Sequence, residues 1–340
     1  MSFDPNAAAL EGSGIYGLPS ALEDSKVVLI PVPFEATTSY GGGTANGPSA
    51  IFEASKQVDL YDHSTGRPYE AGIFMLDESK EIVELNSRAK ELASPIIERG
   101  GLIDDEPELV KALGVVNSCG KRLNEIVYQK TKELIAQEKI VGIIGGDHST
   151  PFGAIQAHAE RYPGLGILHL DAHCDLRKAY EGFVWSHASI MYNVMTHIPN
   201  VAKLVQFAIR DFSESEIDFA REMGKDRIAI HFDEELSAKK FEGQTWQKIT
   251  EDIVEGLPAN VYLSFDIDGL DPTLCPNTGT PVPGGCSFQE VVYILKTVVK
   301  SGRKIVGFDL NEVAPSPNGD EWDANVGARL LYKMIGYTLL

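Results

Sequence analysis

The sequence predicts an α/β fold, a largely parallel sheet with helices on both of its faces. Three observations predict it. Short runs rich in β-branched residues recur along the 340-residue chain, segments with a helical period separate them, and three clusters of Asp, His and Gly each fall where a predicted strand ends.

The runs cover residues 27–33, 140–144, 165–170, 204–209, 228–232, 261–265 and 304–310. They are apolar at consecutive rather than alternate positions, as strands buried on both faces are. Leu123, Ile126, Val127, Leu134 and Ile135 form one helical stripe, and Val291, Val292, Ile294, Leu295, Val298 and Val299 form another. Each repeats at the period of an α-helix and needs an apolar surface to cover. Alternation of strand and helix builds parallel sheets, whose ligands bind beyond the carboxyl ends of the strands. Residues just after strands are therefore where function is expected. The glycine-rich stretches 40–47 and 278–285 read as loops, and the charged segments 104–108 and 233–244 as solvated surface.

The composition, 43% hydrophobic and 23% charged, is that of a globular protein with a sizeable core. Thirty Lys and Arg stand against 49 Asp and Glu, a formal charge of −19. Such a surface repels phosphate backbones and anionic lipid, so neither nucleic acid nor a membrane is expected as a partner. No apolar run reaches the length of a membrane span, and the first residues, MSFDPNAAALEGSG, lack the basic and apolar regions of a signal peptide. A cytoplasmic protein is expected. Cys119, Cys174, Cys275 and Cys286 are too scattered for a disulfide framework or a CxxC zinc site and read as reduced thiols. No linker, repeat or low-complexity tract divides the chain.

Chemistry concentrates in the three strand-end clusters: Gly145-Gly146-Asp147-His148-Ser149, Asp171-Ala172-His173-Cys174-Asp175, and Asp266-Ile267-Asp268-Gly269-Leu270-Asp271-Pro272. In extended backbone, side chains two apart share a face, so Asp171, His173 and Asp175 converge, as do Asp266 and Asp268. With His148 they make four carboxylates and two imidazoles. Bare anions so close would force some to protonate, and bound cations remove that conflict. Six ligands that include carboxylates able to bridge suit a pair of metal ions. Oxygen-rich ligation with imidazole and no thiolate favours Mn²⁺, with Ni²⁺, Co²⁺ and Zn²⁺ as the other fits.

The segments GGDHS at 145–149, DAHCD at 171–175 and SFDIDGLDP at 264–272 match in order and spacing the metal signatures of the ureohydrolases. That family includes arginase, agmatinase, guanidino-acid hydrolases and formiminoglutamase, and the chain resembles it from residue 27 to the C-terminus. The resemblance implies a three-layer α/β/α domain over 27–340, preceded by an N-terminal extension over 1–26, with a dinuclear manganese centre. One metal would be held by His148, Asp171, Asp175 and Asp266, the other by Asp171, His173, Asp266 and Asp268, with Asp171 and Asp266 bridging. Cys174 then points away from the metals and packs. A homotrimer or homohexamer is implied as well.

Three further positions match the family. His187, in Trp185-Ser186-His187-Ala188-Ser189, stands where the family carries a mobile histidine that exchanges protons. Glu312, in Asp309-Leu310-Asn311-Glu312-Val313, stands where a carboxylate pairs with the substrate guanidinium, a planar contact that supplies both charge and orientation. Thr280 matches a loop position near the substrate. The implied reaction cleaves a guanidino C–N bond and releases urea. A guanidinium carbon is a poor electrophile, and a metal pair can supply the strong nucleophile it needs at neutral pH, with Asp175 orienting it. No nucleophilic serine or cysteine is required.

The loop 176–186, LRKAYEGFVWS, is similar to agmatinase-type members, so agmatine is the expected substrate, giving putrescine and urea. The stretch 33–43 departs from that pattern. It has Glu35 where the family carries Asp, and no arginine precedes Gly41-Gly42-Gly43. Arginine, a guanidino acid, guanidine and formiminoglutamate therefore stay open as substrates, with Glu35 and Arg177 as contacts that would read the tail. Two other classes stay open too. A mononuclear zinc deacetylase-like hydrolase would differ in metal count, and an inactive metal-binding scaffold stands against all six ligand positions, His187 and Glu312 being present.

Overall fold

The computed structural model describes residues 3–340. Among these, eight strands form one sheet: β1 (Val27–Val32), β2 (Ile73–Met75), β3 (Ile140–Gly145), β4 (Leu165–Leu170), β5 (Val201–Ile209), β6 (Ile228–Phe232), β7 (Asn260–Asp266) and β8 (Lys304–Asn311). The order across the sheet is β2-β1-β3-β8-β7-β4-β5-β6, and every pairing is parallel. Seven of these strands answer to the seven sequence runs. The eighth, β2, is a three-residue edge strand, too short to leave a pattern. It pairs only with Val27 to Leu29, so Pro31 of β1 lies beyond its reach and the missing proline N–H costs no hydrogen bond on that side.

Among the described residues ten α-helices cover the sheet: α1 (Gly47–Ser55), α2 (Lys80–Ile97), α3 (Pro107–Ala136), α4 (Phe152–Arg161), α5 (Ile190–His197), α6 (Glu214–Met223), α7 (Asp233–Phe241), α8 (Trp246–Glu255), α9 (Phe288–Lys300) and α10 (Trp322–Thr338). Strand alternation divides the core. Val27 and Leu29 belong to one core layer with Ile51 of α1, Leu236 of α7, Ile249 of α8, Leu295 of α9 and Leu330 of α10. Val28 and Ile30 face the other way, toward Ile82 of α2 and Leu123 of α3, and α4 to α6 continue that layer over β4 and β5. The α/β/α architecture expected from the sequence is the one observed. The stripe that starts at Val291 is the buried face of α9, which begins at a capping box of Ser287 and Glu290.

The first 26 residues are less separate than expected, and residues 1 and 2 of that stretch lie outside the described residues. Ile15, Tyr16 and Leu18 are buried in the core. The Tyr16 amide donates to Ser55 Oγ at 2.8 Å and its hydroxyl to the Ala328 carbonyl at 3.0 Å. The extension is thus a strap across α1 and α10. Residues 104–108 lie mostly at the surface, and 233–244 is largely α7, exposed apart from Leu236 and a few half-buried positions. All four cysteines are buried and unpaired, and among the described residues no helix is long and apolar enough to cross a membrane.

The sheet order has one consequence for function. It sets the carboxyl ends of β3, β8, β7 and β4 side by side, and the three motifs and Glu312 follow those four strands. Replacing Leu295 by Ala, in the fully buried face of α9 away from this edge, is expected to lower stability by about 2–5 kcal/mol. Urea unfolding measures it, with metal content unchanged.

Candidate metal centre

Gly145 and Gly146 end β3 where β1, β3 and β8 close on one another. A Cβ at Gly145 would overlap Asn311 Oδ1 and Thr150 Oγ1, and one at Gly146 the Phe34 carbonyl. The chain then turns and buries His148 completely. His148 Nδ1 lies 3.1 Å from Asp171 Oδ2, 3.4 Å from Asp175 Oδ2 and 3.5 Å from Asp266 Oδ2. His173 Nδ1 lies 3.1 Å from Asp268 Oδ2 and 3.4 Å from Asp171 Oδ1. Asp171 therefore offers one oxygen to each imidazole. His148, Asp171 and Asp175, joined by His169, form one group able to hold a cation, and Asp171, His173 and Asp268 form a second.

Five of the six candidate residues fall in these two groups, and Asp266 approaches through His148, though none of this comes about through extended backbone. β4 stops at Leu170, and Asp175 has a left-handed φ of 52°. Its carbonyl accepts the Met191 and Tyr192 amides at 3.1 Å, so the first turn of α5 holds that conformation. Asp268 sits in a 3-10 turn over Ile267–Gly269 whose amide donates to Asp266 Oδ1 at 2.9 Å. Left-handed non-glycine residues at such a place are local strain of about 1–3 kcal/mol held by their surroundings.

Burial, then the charge of Asp171, pushes the Asp175 carboxyl well above its usual range. Burial followed by Asp268 and Asp171 does the same to Asp266. Burial opposes it, yet His169 and His148 hold Asp171 well below. The pattern is that of carboxylates packed too closely to be anions together, which a bound cation pair relieves.

Glu312 also has a left-handed φ, 63°. Three hydrogen bonds fix it: its amide donates to the Gly146 carbonyl at 2.8 Å, its carbonyl accepts Thr278 Oγ1 at 2.8 Å, and Oε1 accepts the His148 amide at 2.9 Å. Its other carboxylate oxygen, Oε2, is buried and has no partner in the protein. Burial, then Asp266 and Asp147, raises the Glu312 carboxyl well above the ordinary value.

A cavity of about 160 Å³ opens onto this cluster. His173, Asp175, His187 and Thr280 line it, as do Arg177 and Asp211. His187 begins a 3-10 turn, and burial followed by the charge of His173 lowers its imidazole to about 4. Thr280 Oγ1 donates to Asp268 Oδ2 at 3.4 Å. The Arg177 Nε stands 3.6 Å from Glu216 Oε2, and its guanidinium lies over the Tyr180 ring at 5.0 Å.

Glu35 requires a correction. It does not reach the cavity. Its Oε2 accepts the Gly43 amide at 2.7 Å, Thr44 Oγ1 at 3.0 Å and the Ala45 amide at 3.2 Å, and its Oε1 pairs with the Lys90 ammonium from α2. Both oxygens are spent on closing the glycine loop. Lys90 neutralises the buried Glu35 carboxylate from outside the loop.

Several site residues escaped the sequence reading. His169 donates from Nε2 to Asp171 Oδ2 at 2.8 Å, because Gln206 Nε2 donates to its Nδ1 at 2.9 Å and fixes the tautomer. The spacing to Asp171, two residues on and just past the end of β4, was its only signal. His148 Nε2 meets Ser264 Oγ at 2.9 Å, which donates to the fully buried Asp309 at 3.0 Å. Arg210 donates to the carbonyls of Asp268, Leu270 and Val282 at 2.6 to 3.2 Å.

Carboxylates and imidazoles gathered at the carboxyl ends of parallel strands, beside an unpaired buried carboxylate oxygen, mark a hydrolase that works through bound cations. The Arginase family model matches residues 25–336, and the chain belongs to that family. N(1)-aminopropylagmatine ureohydrolase of Thermus thermophilus is 32% identical over 316 residues, 92% of this chain and 90% of that one. Agmatinase of Bacillus cereus is 29% identical over 299 residues, 87% of this chain and 86% of that one. Among solved structures, proclavaminate amidino hydrolase from Streptomyces clavuligerus shares the fold with a TM-score of 0.73 at 22% identity, over 98% of this chain and 99% of that one. The family read from the three motifs is borne out.

Proposed function

We propose that the protein hydrolyses the guanidino group of agmatine to putrescine and urea, with two divalent cations, Mn²⁺ fitting the donor set. The observation that carries this reading is Glu312 Oε2, a buried carboxylate oxygen without a partner beside the acid cluster. A guanidinium supplies the N–H donors and the charge that such an oxygen needs. The names of the relatives, agmatinase and N(1)-aminopropylagmatine ureohydrolase, support a substrate of the agmatine type.

One cation would sit among His148 Nδ1, Asp171, Asp175 and Asp266, the other among Asp171, His173 Nδ1, Asp266 and Asp268, an assignment supported by the two sets of short imidazole–carboxylate distances. When bound, such cations lower the pKa of water toward neutrality and so supply a nucleophile strong enough for a resonance-stabilised guanidinium carbon. Glu312 holds the guanidinium, with its own backbone locked to Gly146 and Thr278. Asp175 accepts the hydrogen bond that orients the attacking water. Thr280 closes the wall above Asp268, and His187, across the cavity, exchanges the proton that the departing amine requires with solvent. Four buried unpaired cysteines support a reducing compartment, the cytoplasm. The assembly proposed is a homotrimer or homohexamer, which light scattering measures.

Urea release by Mn²⁺-loaded protein tests the reading, with agmatine expected to exceed arginine, guanidinobutyrate and guanidine. A preference for one of these, or formamide release from formiminoglutamate, would reassign the substrate. Asp268→Ala is expected to lose one of two metals by elemental analysis, together with nearly all activity; a single metal in the unsubstituted protein would favour the deacetylase-like alternative. His187→Ala is expected to keep both metals while kcat falls about 10²-fold, the size of a lost proton transfer. Undiminished turnover would remove it from the scheme.

A further inference from the structure

We infer that Arg210 is a positioning residue for the second cation alone: its backbone and guanidinium hold the segments that carry His173 and Asp268, and neither bonds to His148 or Asp175. The inference rests on the cation-pair reading above and deepens it by making the two sites separable.

Arg210 follows β5, half-buried, and its side chain runs under the turn at Gly284 and Gly285. Among the described residues its side-chain partners are all carbonyl oxygens. Nη1 donates to Ala208 at 3.1 Å, Nε to Val282 at 3.2 Å, and Nη2 to Asp268 at 2.6 Å, Val282 at 3.0 Å and Leu270 at 3.2 Å. Five N–H donors on a planar fork serve carbonyls of three segments at once, which the three hydrogens of an ammonium, radiating from one point, do not reproduce. Gly285 has a φ of 91°, and a Cβ there would come within 2.9 Å of Nη2 and 2.6 Å of the Leu270 carbonyl. Glycine at that turn is what lets the chain close over the guanidinium.

The main chain of Arg210 acts on the other half of the same group. Its amide donates to the Ala172 carbonyl at 2.7 Å, and the Ala172 amide donates to Asp268 Oδ1 at 2.9 Å. Arg210, Ala172 and Asp268 thus close a ring of hydrogen bonds, and Ala172 stands between Asp171 and His173. Because Nη2 holds the Asp268 carbonyl and Ala172 holds Oδ1, Oδ2 is left to face His173 Nδ1 at 3.1 Å. The first group is fixed by different contacts. His148 is set by Ser264 and Glu312, and Asp175 by the first turn of α5. Removing the guanidinium therefore releases the Asp268 carbonyl and the turn at Val282, two residues past Thr280, and leaves the supports of His148 and Asp175 untouched.

Equilibrium dialysis against Mn²⁺, with elemental analysis of the protein, tests this without turnover. Wild-type protein is expected to bind two cations per chain. Arg210→Gln is expected to hold one with unchanged affinity and the other about 10- to 100-fold more weakly, the usual effect of losing a residue that orients a metal ligand. Arg210→Lys keeps the charge without the fork and is expected to weaken the same cation, and it carries the test where the glutamine variant does not fold. In Asp268→Ala protein, left with the first cation, adding Arg210→Gln should change nothing further. Arg303 is the control, since it also donates to carbonyls, Leu257 at 2.8 Å and Glu255 at 2.9 Å, but at the amino end of β8. Arg303→Gln should lower stability in urea while both cations stay. Unchanged binding in either Arg210 variant, equal weakening of both cations, or loss of a cation in Arg303→Gln overturns the inference alone. Wild-type protein that binds a single Mn²⁺ overturns the cation-pair reading and this inference with it.

Discussion

Four carboxylates buried within reach of two imidazoles cannot all be anions unless something positive joins them, and the carboxyl edge of the sheet is organised around that conflict. Asp175 and Asp266 are pushed toward their neutral forms, while His169 and His148 hold Asp171 ionised. The folded chain stores this repulsion because strand pairing and left-handed turns at Asp175 and Glu312 hold the donors in place. Cation affinity is thus a consequence of the packing of the sheet, and metal binding and stability are linked.

Around the donors lies a second set of contacts that acts on orientation. Gln206 fixes the proton on His169, and His169 fixes Asp171. Ser264 and Asp309 meet the far edge of His148 and leave its Nδ1 facing the cluster. Partners of this kind set the tautomer and angle of a ligand and raise its basicity. Arg210 works at longer range, tying the end of β5 to the carbonyls of the loop that carries Asp268.

The sequence made legible whatever is local. Seven strands announced themselves as apolar runs, and the strand-end motifs announced the acid cluster, because both are patterns of adjacent residues. The shape of the turns at Asp175 and Asp268 was not legible, since it depends on α5 and on the Asp266 side chain. Glu35 was misassigned for the same reason. Its partner Lys90 lies on α2, and nothing in the segment 33–43 reveals that a cation from elsewhere pairs with it. β2 has only three residues, too few to leave a pattern. Strap residues 15–18 were invisible as core because a short apolar stretch has no periodicity to read.

The order of the sheet also bears on how the chain reaches this state. β3 and β4 are consecutive along the chain yet are separated in the sheet by β8 and β7, the last two strands. Until those strands arrive, β2-β1-β3 and β4-β5-β6 are two half-sheets, each with an open inner edge and each bearing part of the ligand set. Pairings such as Gly142 with Phe308 close a very long loop, a slow step that leaves strand edges unpaired meanwhile. A nascent chain therefore cannot complete the acid cluster before β7 and β8 are in place. The site appears when the halves are joined, and a chain cut short before β7 is a hazard for aggregation rather than a weaker enzyme.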